Sequence, residues 1–252
     1  NRLVAGNQFP AIQVALFGFA QSIFDQLQRY LPAQLFNGMI RPVMAARYSA
    51  NGSYKEAETV ANAALTVNLV LIGLAATFFA AGGGDIYLWL SKGKYGADAA
   101  ILVMLMCLVM ALESWRHSLE NLSHTVERYG FLVFANAFLG LSLLLGIALA
   151  PQSGMAALPA ANCIGLVVAN VMVIYWLRRT GFPYQANLGH VLSCVLASAV
   201  GLGVAWWLDT FMEQWWWRIV LASLAYLAVL ALILRPREDE VRIFRAVINR
   251  RR

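Results

Sequence analysis

The sequence contains few charged residues. Only 13% of its 252 residues are Asp, Glu, Lys or Arg, and 60% are hydrophobic. An ordinary soluble domain has about 25% charged residues and roughly 45–50% apolar ones. The composition therefore excludes a soluble globular domain and predicts a protein that crosses the membrane several times.

Cysteine and catalytic motifs are scarce as well. Cys107, Cys163 and Cys194 lie far apart in apolar runs, without Cys-x-x-Cys spacing. They are predicted to be small packing residues rather than metal ligands or disulfide partners. The sequence has no phosphate-binding glycine loop, no dinucleotide fingerprint, no Gly-x-Ser-x-Gly and no His-Glu-x-x-His. We therefore expect no enzymatic activity, no cofactor and no bound metal.

The basic residues are concentrated at the end of the chain. Seven of the nineteen follow the last apolar run, and they are Arg235, Arg237, Arg242, Arg245 and Arg250 to Arg252. A basic tail beside a membrane span is typical of orientation and of contact with anionic lipids, so nucleic-acid binding is not expected. Residues 241–248 have the apolar spacing of an amphipathic helix that lies on the cytoplasmic leaflet.

Apolar runs of about 20 residues have the length that spans a roughly 30 Å hydrocarbon core. Seven such runs are present, at about 14–47, 58–81, 96–118, 130–150, 155–178, 188–208 and 216–234. The predicted fold class is all-α, a polytopic transmembrane helix bundle of about seven spans. The first residue is not Met and no signal peptide precedes the first span, so we expect a missing N-terminal part.

Small residues recur at four-residue spacing in two of the spans. They are Ala157, Ala161 and Gly165 in one span, and Ala197 and Gly201 in another. Such stripes let two helix backbones approach closely. We therefore predict tight helix contacts along both.

Orientation follows from the Lys and Arg residues between the spans. The loops near 47–56, 116–129 and 178–181, together with the tail, hold thirteen basic residues, and the alternate loops hold three. Short cytoplasmic loops are enriched in these residues. The C-terminus is therefore predicted to be cytoplasmic.

The first span carries polar residues at membrane depth, where they are costly and usually functional. One helical face holds Gln21, Asp25, Gln28 and Arg29, and beyond Pro32 nearly the opposite face holds Gln34, Asn37 and Arg41. A proline kinks a helix and frees carbonyl groups. A kinked polar helix is typical of a transport pathway.

Two interpretations of this helix remain open. In the first, Arg29 or Arg41 binds an anionic group in a hydrated cavity that Asp25, Gln28 and Asn37 also line. In the second, Asp25 neutralises Arg29 near the outer interface as an i,i+4 pair, and Arg41 snorkels to the inner interface.

The third span ends in a second polar group, which comprises Glu113, Arg116, His117, Glu120 and His124. Their spacing gives two Glu-x3-His pairs but no closed set of metal ligands. We predict a helix that projects into the cytoplasm with ordinary i,i+4 pairs. Glu113 and His117, the deepest of the five, are candidates for proton coupling.

Several short segments occur in an order found in a known superfamily. They are 37–45 with 50–52, 87–90 with 93–97, 127–130 and 154–165. In this order they resemble the C-terminal half of the multidrug/oligosaccharidyl-lipid/polysaccharide (MOP) flippase superfamily, in its polysaccharide and lipid-linked oligosaccharide exporter branch. Gly18-Phe19-Ala20 matches the family's long-helix start only approximately.

The resemblance implies three parts of the chain. Residues 1–180 resemble the C-terminal lobe of these flippases. Residues 181–235 resemble the two additional helices of fourteen-helix members, and 236–252 form the basic cytoplasmic tail.

The resemblance also implies a function in the bacterial inner membrane. The protein would move a polyprenyl-pyrophosphate-linked glycan, or a related intermediate of polysaccharide biosynthesis such as an O-antigen of lipopolysaccharide, by alternating access. Two alternatives remain. One is a cation-coupled multidrug exporter of the same fold, which would prefer acidic cavity residues. The other is a non-transporting scaffold that recruits polysaccharide synthesis enzymes through its tail.

Overall fold

The computed structural model describes residues 9–30 and 37–234, and every regular element in these ranges is a helix. In chain order the helices are α1 (Ala11–Tyr30), α2 (Asn37–Asn51), α3 (Tyr54–Leu90), α4 (Asp98–Thr125), α5 (Leu132–Ser153), α6 (Ala157–Arg179), α7 (Leu188–Asp209) and α8 (Trp215–Ile233). A single 3₁₀ turn, Gly154–Ala156, joins α5 to α6. The predicted all-α helix bundle is confirmed.

Within the described residues, five segments are long and apolar enough to cross a membrane. They are Tyr54–Leu90, Asp98–Thr125, Leu132–Arg179, Leu188–Asp209 and Trp215–Ile233. The third has 48 residues and turns at Gly154, whose φ of 58° lets the chain fold back so that α5 and α6 pack together. This segment therefore contains two of the predicted spans.

The predicted first span differs from these five. Its described part consists of α1 and α2, which carry more polar residues than the later helices. The predicted kink at Pro32 lies outside the described residues, as does Gln34. The amphipathic helix predicted in the tail, at 241–248, lies outside them too.

Helices α3 and α4 form the centre of the bundle. Helix α3 contacts α2, α4, α7 and α8, and α4 also contacts α1 and α6. The main apolar core is built from α1, α3 and α4, with contributions from the other long helices. All three cysteines are buried in helices and unbonded, as expected for packing residues.

Both predicted stripes of small residues lie at close helix contacts. A Cβ atom added at Gly165 of α6 would lie 2.4 Å from the Ser142 Cβ of α5. One added at Gly201 of α7 would lie 2.7 Å from the Thr77 Oγ1 of α3. Because side chains larger than glycine cannot enter such gaps, these positions set the distance between the helix axes.

Helix α3 bends sharply at Gly83. This residue has φ 53° and ψ −147°, a backbone conformation that is essentially restricted to glycine. The bend redirects the last turns of α3, and residues 87–90, one of the segments that carry the resemblance, continue α3 beyond the bend. Tyr87 in this part is fully buried.

Helix α8 packs on α3 and α7 through a buried tyrosine. The hydroxyl of Tyr226 donates a hydrogen bond of 2.8 Å to the carbonyl oxygen of Val70, in the middle of α3. The Tyr226 side chain is fully buried and fits between Gly73 and Gly201. Residues after 187 therefore complete the bundle on the side of α3.

Candidate functional site

Helix α1 holds the predicted polar face. The Gln21 side-chain amide donates to Asp25 Oδ1 at 3.0 Å. Asp25 and Gln28 are half-buried, whereas Arg29 is exposed. The Gln28 amide donates to Glu113 Oε2 of α4 at 3.2 Å. The structure thus brings together two candidates that the sequence had placed in separate groups.

The other predicted residues lie at and beyond the end of α1. Asn37 begins α2, and its side chain is outside the described part. Arg41 is exposed on α2. A cavity lined by Arg29, Asp25 and Arg41 stays a prediction.

Arg116, which was predicted to lie on a helix end that projects from the bundle, is buried. Only 3% of this residue is exposed. Its Nε lies 2.8 Å from Glu120 Oε1, its Nη2 donates to Asn136 Oδ1 of α5 at 2.7 Å, and its Nη1 donates to the Ala169 carbonyl of α6 at 3.3 Å. The i,i+4 pair with Glu120 is confirmed, but the prediction of a projecting helix is wrong at Arg116, because α5 and α6 cover this side of α4.

His117 and Glu113 lie on the same side of α4 but have different partners. His117 Nδ1 is 3.6 Å from Glu120 Oε2. His117 also lines a cavity of about 10 Å³, together with Asn68, Ser114 and five other residues of α2, α3 and α4. That volume holds about one water molecule. Within the described ranges, no three His, Cys, Asp or Glu residues are grouped so that they could hold a metal ion.

A large apolar groove lies on the opposite side of α4. Its volume is about 730 Å³. Its walls come from α3, α4 and α7, and include Leu69, Ile72, Leu108, Leu112, Val191 and Val195. Leu108 and Val195 are about half exposed, so the groove opens to the side of the bundle. The sequence did not reveal it, because its walls come from three segments far apart in the chain.

Side chains of α3 hold the linker that enters α7, at one end of this groove. The Asn62 amide donates to the Gln185 carbonyl at 2.9 Å, and the Tyr184 hydroxyl donates to Asn62 Oδ1 at 2.7 Å. Glu58 accepts a hydrogen bond from the Gln185 backbone N–H. Burial raises the pKa of the Tyr184 phenol above its usual range, so this group stays protonated and acts as a donor. The linker residue Ala186 lines the groove.

The described helices form a bundle with one sharply bent helix and a polar helix at its side. Among solved structures, the chain is similar to "Lipid II flippase MurJ, inward closed conformation". The TM-score is 0.61 at 14% sequence identity, over 94% of this chain and 50% of that one. The chain therefore spans half the length of that flippase, and the likeness shows the fold. No family model and no curated protein matches the sequence.

Proposed function

We propose that the protein acts in a flippase that moves a lipid-linked glycan across the bacterial inner membrane. The observation that carries this proposal is the 730 Å³ apolar groove in a fold shared with a flippase. A lipid-linked glycan has a long apolar chain and a strongly polar head. A flippase must therefore offer one path for each.

Helix α4 separates two such paths. Leu112 lines the apolar groove, whereas the next residue, Glu113, contacts Gln28 of α1. Successive residues of a helix point about 100° apart, so α4 has an apolar side towards α7 and a polar side towards α1. In our proposal the prenyl chain occupies the groove while the head group follows the α1 side.

The candidate head-group ligands are Arg29 and Arg41, with Asp25, Gln28 and Asn37 beside them. Guanidinium groups bind phosphate oxygens through paired hydrogen bonds. Both arginines are exposed in the structure, as residues that meet a substrate must be. The substrate class we propose is a polyprenyl-pyrophosphate-linked glycan or a related polysaccharide intermediate.

The two C-terminal spans contribute directly to this proposal. Helix α7 supplies one wall of the groove, and Tyr226 of α8 packs between Gly73 of α3 and Gly201 of α7. We propose that residues 181–235 complete the lipid path of a lobe formed by 1–180. The tail at 236–252 would bind anionic lipids on the cytoplasmic side and could also receive synthesis enzymes.

A specific observation supports a second candidate function. Glu113 is an acidic residue in the middle of the largely apolar helix α4. Its carboxylate accepts a hydrogen bond from Gln28, and His117 lies one turn away. Acidic groups at such depth are typical of proton or cation relays in transporters. A cation-coupled exporter of amphipathic drugs is therefore the alternative, with Glu113 and His117 as coupling residues.

Filling the groove tests the lipid path. Val195→Trp places a large side chain at the groove rim, and Val167→Trp places one on α6, at a site exposed to a similar degree outside the groove. We expect Val195→Trp to slow translocation of a fluorescent polyprenyl-pyrophosphate glycan in proteoliposomes about tenfold, which corresponds to about 1.4 kcal/mol. The Val167→Trp control should translocate normally. Equal rates for the two variants would contradict the proposal, and drug efflux without glycan movement would favour the exporter.

A further inference from the structure

Arg218 joins the outer ends of three helices. It lies in the first turn of α8, and only 5% of the residue is exposed. Its Nη2 donates to Asp85 Oδ2 of α3 at 2.7 Å, and its Nη1 forms an ion pair with Asp209, the last residue of α7. One planar guanidinium thus binds two carboxylates on different helices.

The bend of α3 makes this arrangement possible. Asp85 follows Gly83 by two residues, so it belongs to the redirected end of α3. A Cβ atom at Gly83 would lie 4.0 Å from Arg218 Nη2 and 3.9 Å from Asp209 Oδ1. The ion cluster therefore lies against the bend itself. Straightening α3 at Gly83 would move Asp85 away from Arg218.

The three members of the cluster differ in their access to water. The side chains of Asp85 and Asp209 are 48% and 62% exposed, whereas that of Arg218 is 6% exposed. The carboxylates can be hydrated when the cluster breaks, but the buried guanidinium would lose its partners. Since the free-energy penalty for breaking it falls on Arg218, this residue determines whether the cluster stays closed.

The helices joined by the cluster also form the walls of the groove. Residues 65–80 of α3 and 188–202 of α7 face each other across it, and the cluster lies at the outer ends of both helices. A second anchor, the bond from Tyr226 to Val70, holds α8 to α3 at a point about two turns further along α8 and about four turns earlier in α3. Arg218 thus joins the ends of α3, α7 and α8, whereas Tyr226 joins the middle of α8 to the middle of α3.

We propose that Arg218 is a positioning residue that forms an ionic latch. When the latch is closed, the bent end of α3 and the end of α7 stay at a fixed separation, which sets the width of the groove at its outer end. When it opens, the α7–α8 pair separates from the bend while Tyr226 keeps the middle of α8 attached. This inference concerns the groove's shape and stands whatever molecule occupies the groove.

Distance measurement by electron paramagnetic resonance tests the latch. Spin labels replace Leu90 at the end of α3 and Trp206 near the end of α7, two exposed positions. The protein in lipid nanodiscs should give a single narrow distance population. In Arg218→Gln this population should be lost and replaced by a broad, longer distribution. An unchanged distribution would overturn the proposal.

Matched variants separate the latch from general loosening. Lys94→Gln removes an exposed charge from the loop between α3 and α4, and Tyr226→Phe removes the other anchor; both should keep the narrow population. Arg218→Lys should keep only part of it, because an ammonium cannot bind two carboxylates as a planar fork does. Full retention by Arg218→Lys, or equal broadening by Lys94→Gln, would overturn the proposal.

The carboxylate variants cover the case in which Arg218→Gln does not fold. Asp85→Asn and Asp209→Asn change exposed groups and should each reduce the narrow population. In the double variant Asp85→Asn with Arg218→Lys, the loss should be smaller than the sum of the single losses, as expected for partners in one cluster. Additive losses would contradict a direct interaction.

Discussion

Arg116 shows how a buried cation is held in an apolar bundle. Its three nitrogens reach Glu120, Asn136 and the Ala169 carbonyl, so most of its donors have an acceptor. Only Glu120 carries a charge, and two acceptors are neutral. Arg116 therefore holds α4, α5 and α6 together with little surplus charge.

Removing this guanidinium should destabilise the bundle. We expect Arg116→Met to lower the free energy of unfolding by about 3 kcal/mol, because Glu120 and Asn136 lose a buried partner. Thermal unfolding in detergent measures the change. Arg116→Met with Glu120→Gln should recover part of it, and Arg179→Met, an exposed arginine at the end of α6, should have little effect. A neutral effect of Arg116→Met would contradict the contacts described.

Arg29 gives a prediction about substrate rather than stability. Asp25 already accepts a hydrogen bond from Gln21, and Arg29 is exposed, so loss of Arg29 should leave folding intact. We expect Arg29→Gln to abolish glycan translocation at normal membrane abundance, and Arg29→Lys to keep part of it. If the double variant Arg29→Gln with Asp25→Asn translocates normally, Arg29 does not bind the substrate.

At the scale of elements, the bend of α3 depends on one glycine. Gly83→Ala should destabilise the protein by about 1–3 kcal/mol, since alanine rarely adopts positive φ with this ψ. A Cβ there would be no closer than 3.9 Å to the Asp209 and Arg218 atoms, so the penalty comes from the backbone and not from a clash. Gly140→Ala, with open space on α5, is the matched control for urea unfolding. Equal stability of the two variants would contradict the bend.

Most helices could be predicted from the sequence because apolar length decides them. The predicted spans 188–208 and 216–234 are close to α7 and α8 as observed. The bend at Gly83 could not be predicted, since three successive glycines allow many conformations. The contacts of Arg218 could not be predicted either, since its partner Asp85 lies 133 positions before it.

The candidate site was predicted only in part, for a related reason. Polar residues on α1 and α4 were evident because such groups are rare in apolar runs. Their pairing, Gln28 with Glu113, joins residues 85 positions apart. The groove has walls from three helices and no polar marker, so no local pattern indicates it.

At the scale of the whole molecule, the predicted orientation determines which loops a reagent outside the membrane can reach. Positions 152 and 213 should react with a membrane-impermeant thiol reagent from outside once replaced by cysteine, and positions 53 and 180 should not. The three native cysteines are buried and should stay silent. The reverse labelling pattern would contradict a cytoplasmic C-terminus.

The hydrogen bonds from α3 to the linker before α7 also have a consequence during synthesis. Asn62 emerges from the ribosome 122 residues before its partner Tyr184. At a synthesis rate of about 5–20 residues per second, Tyr184 is added roughly 6–25 s after Asn62. During this interval the side of α3 that later receives α7 faces lipid or the insertion machinery. Ribosomes stalled before residue 184 should therefore carry a nascent chain whose position 69 crosslinks to lipid, and release of the stall should end the crosslink.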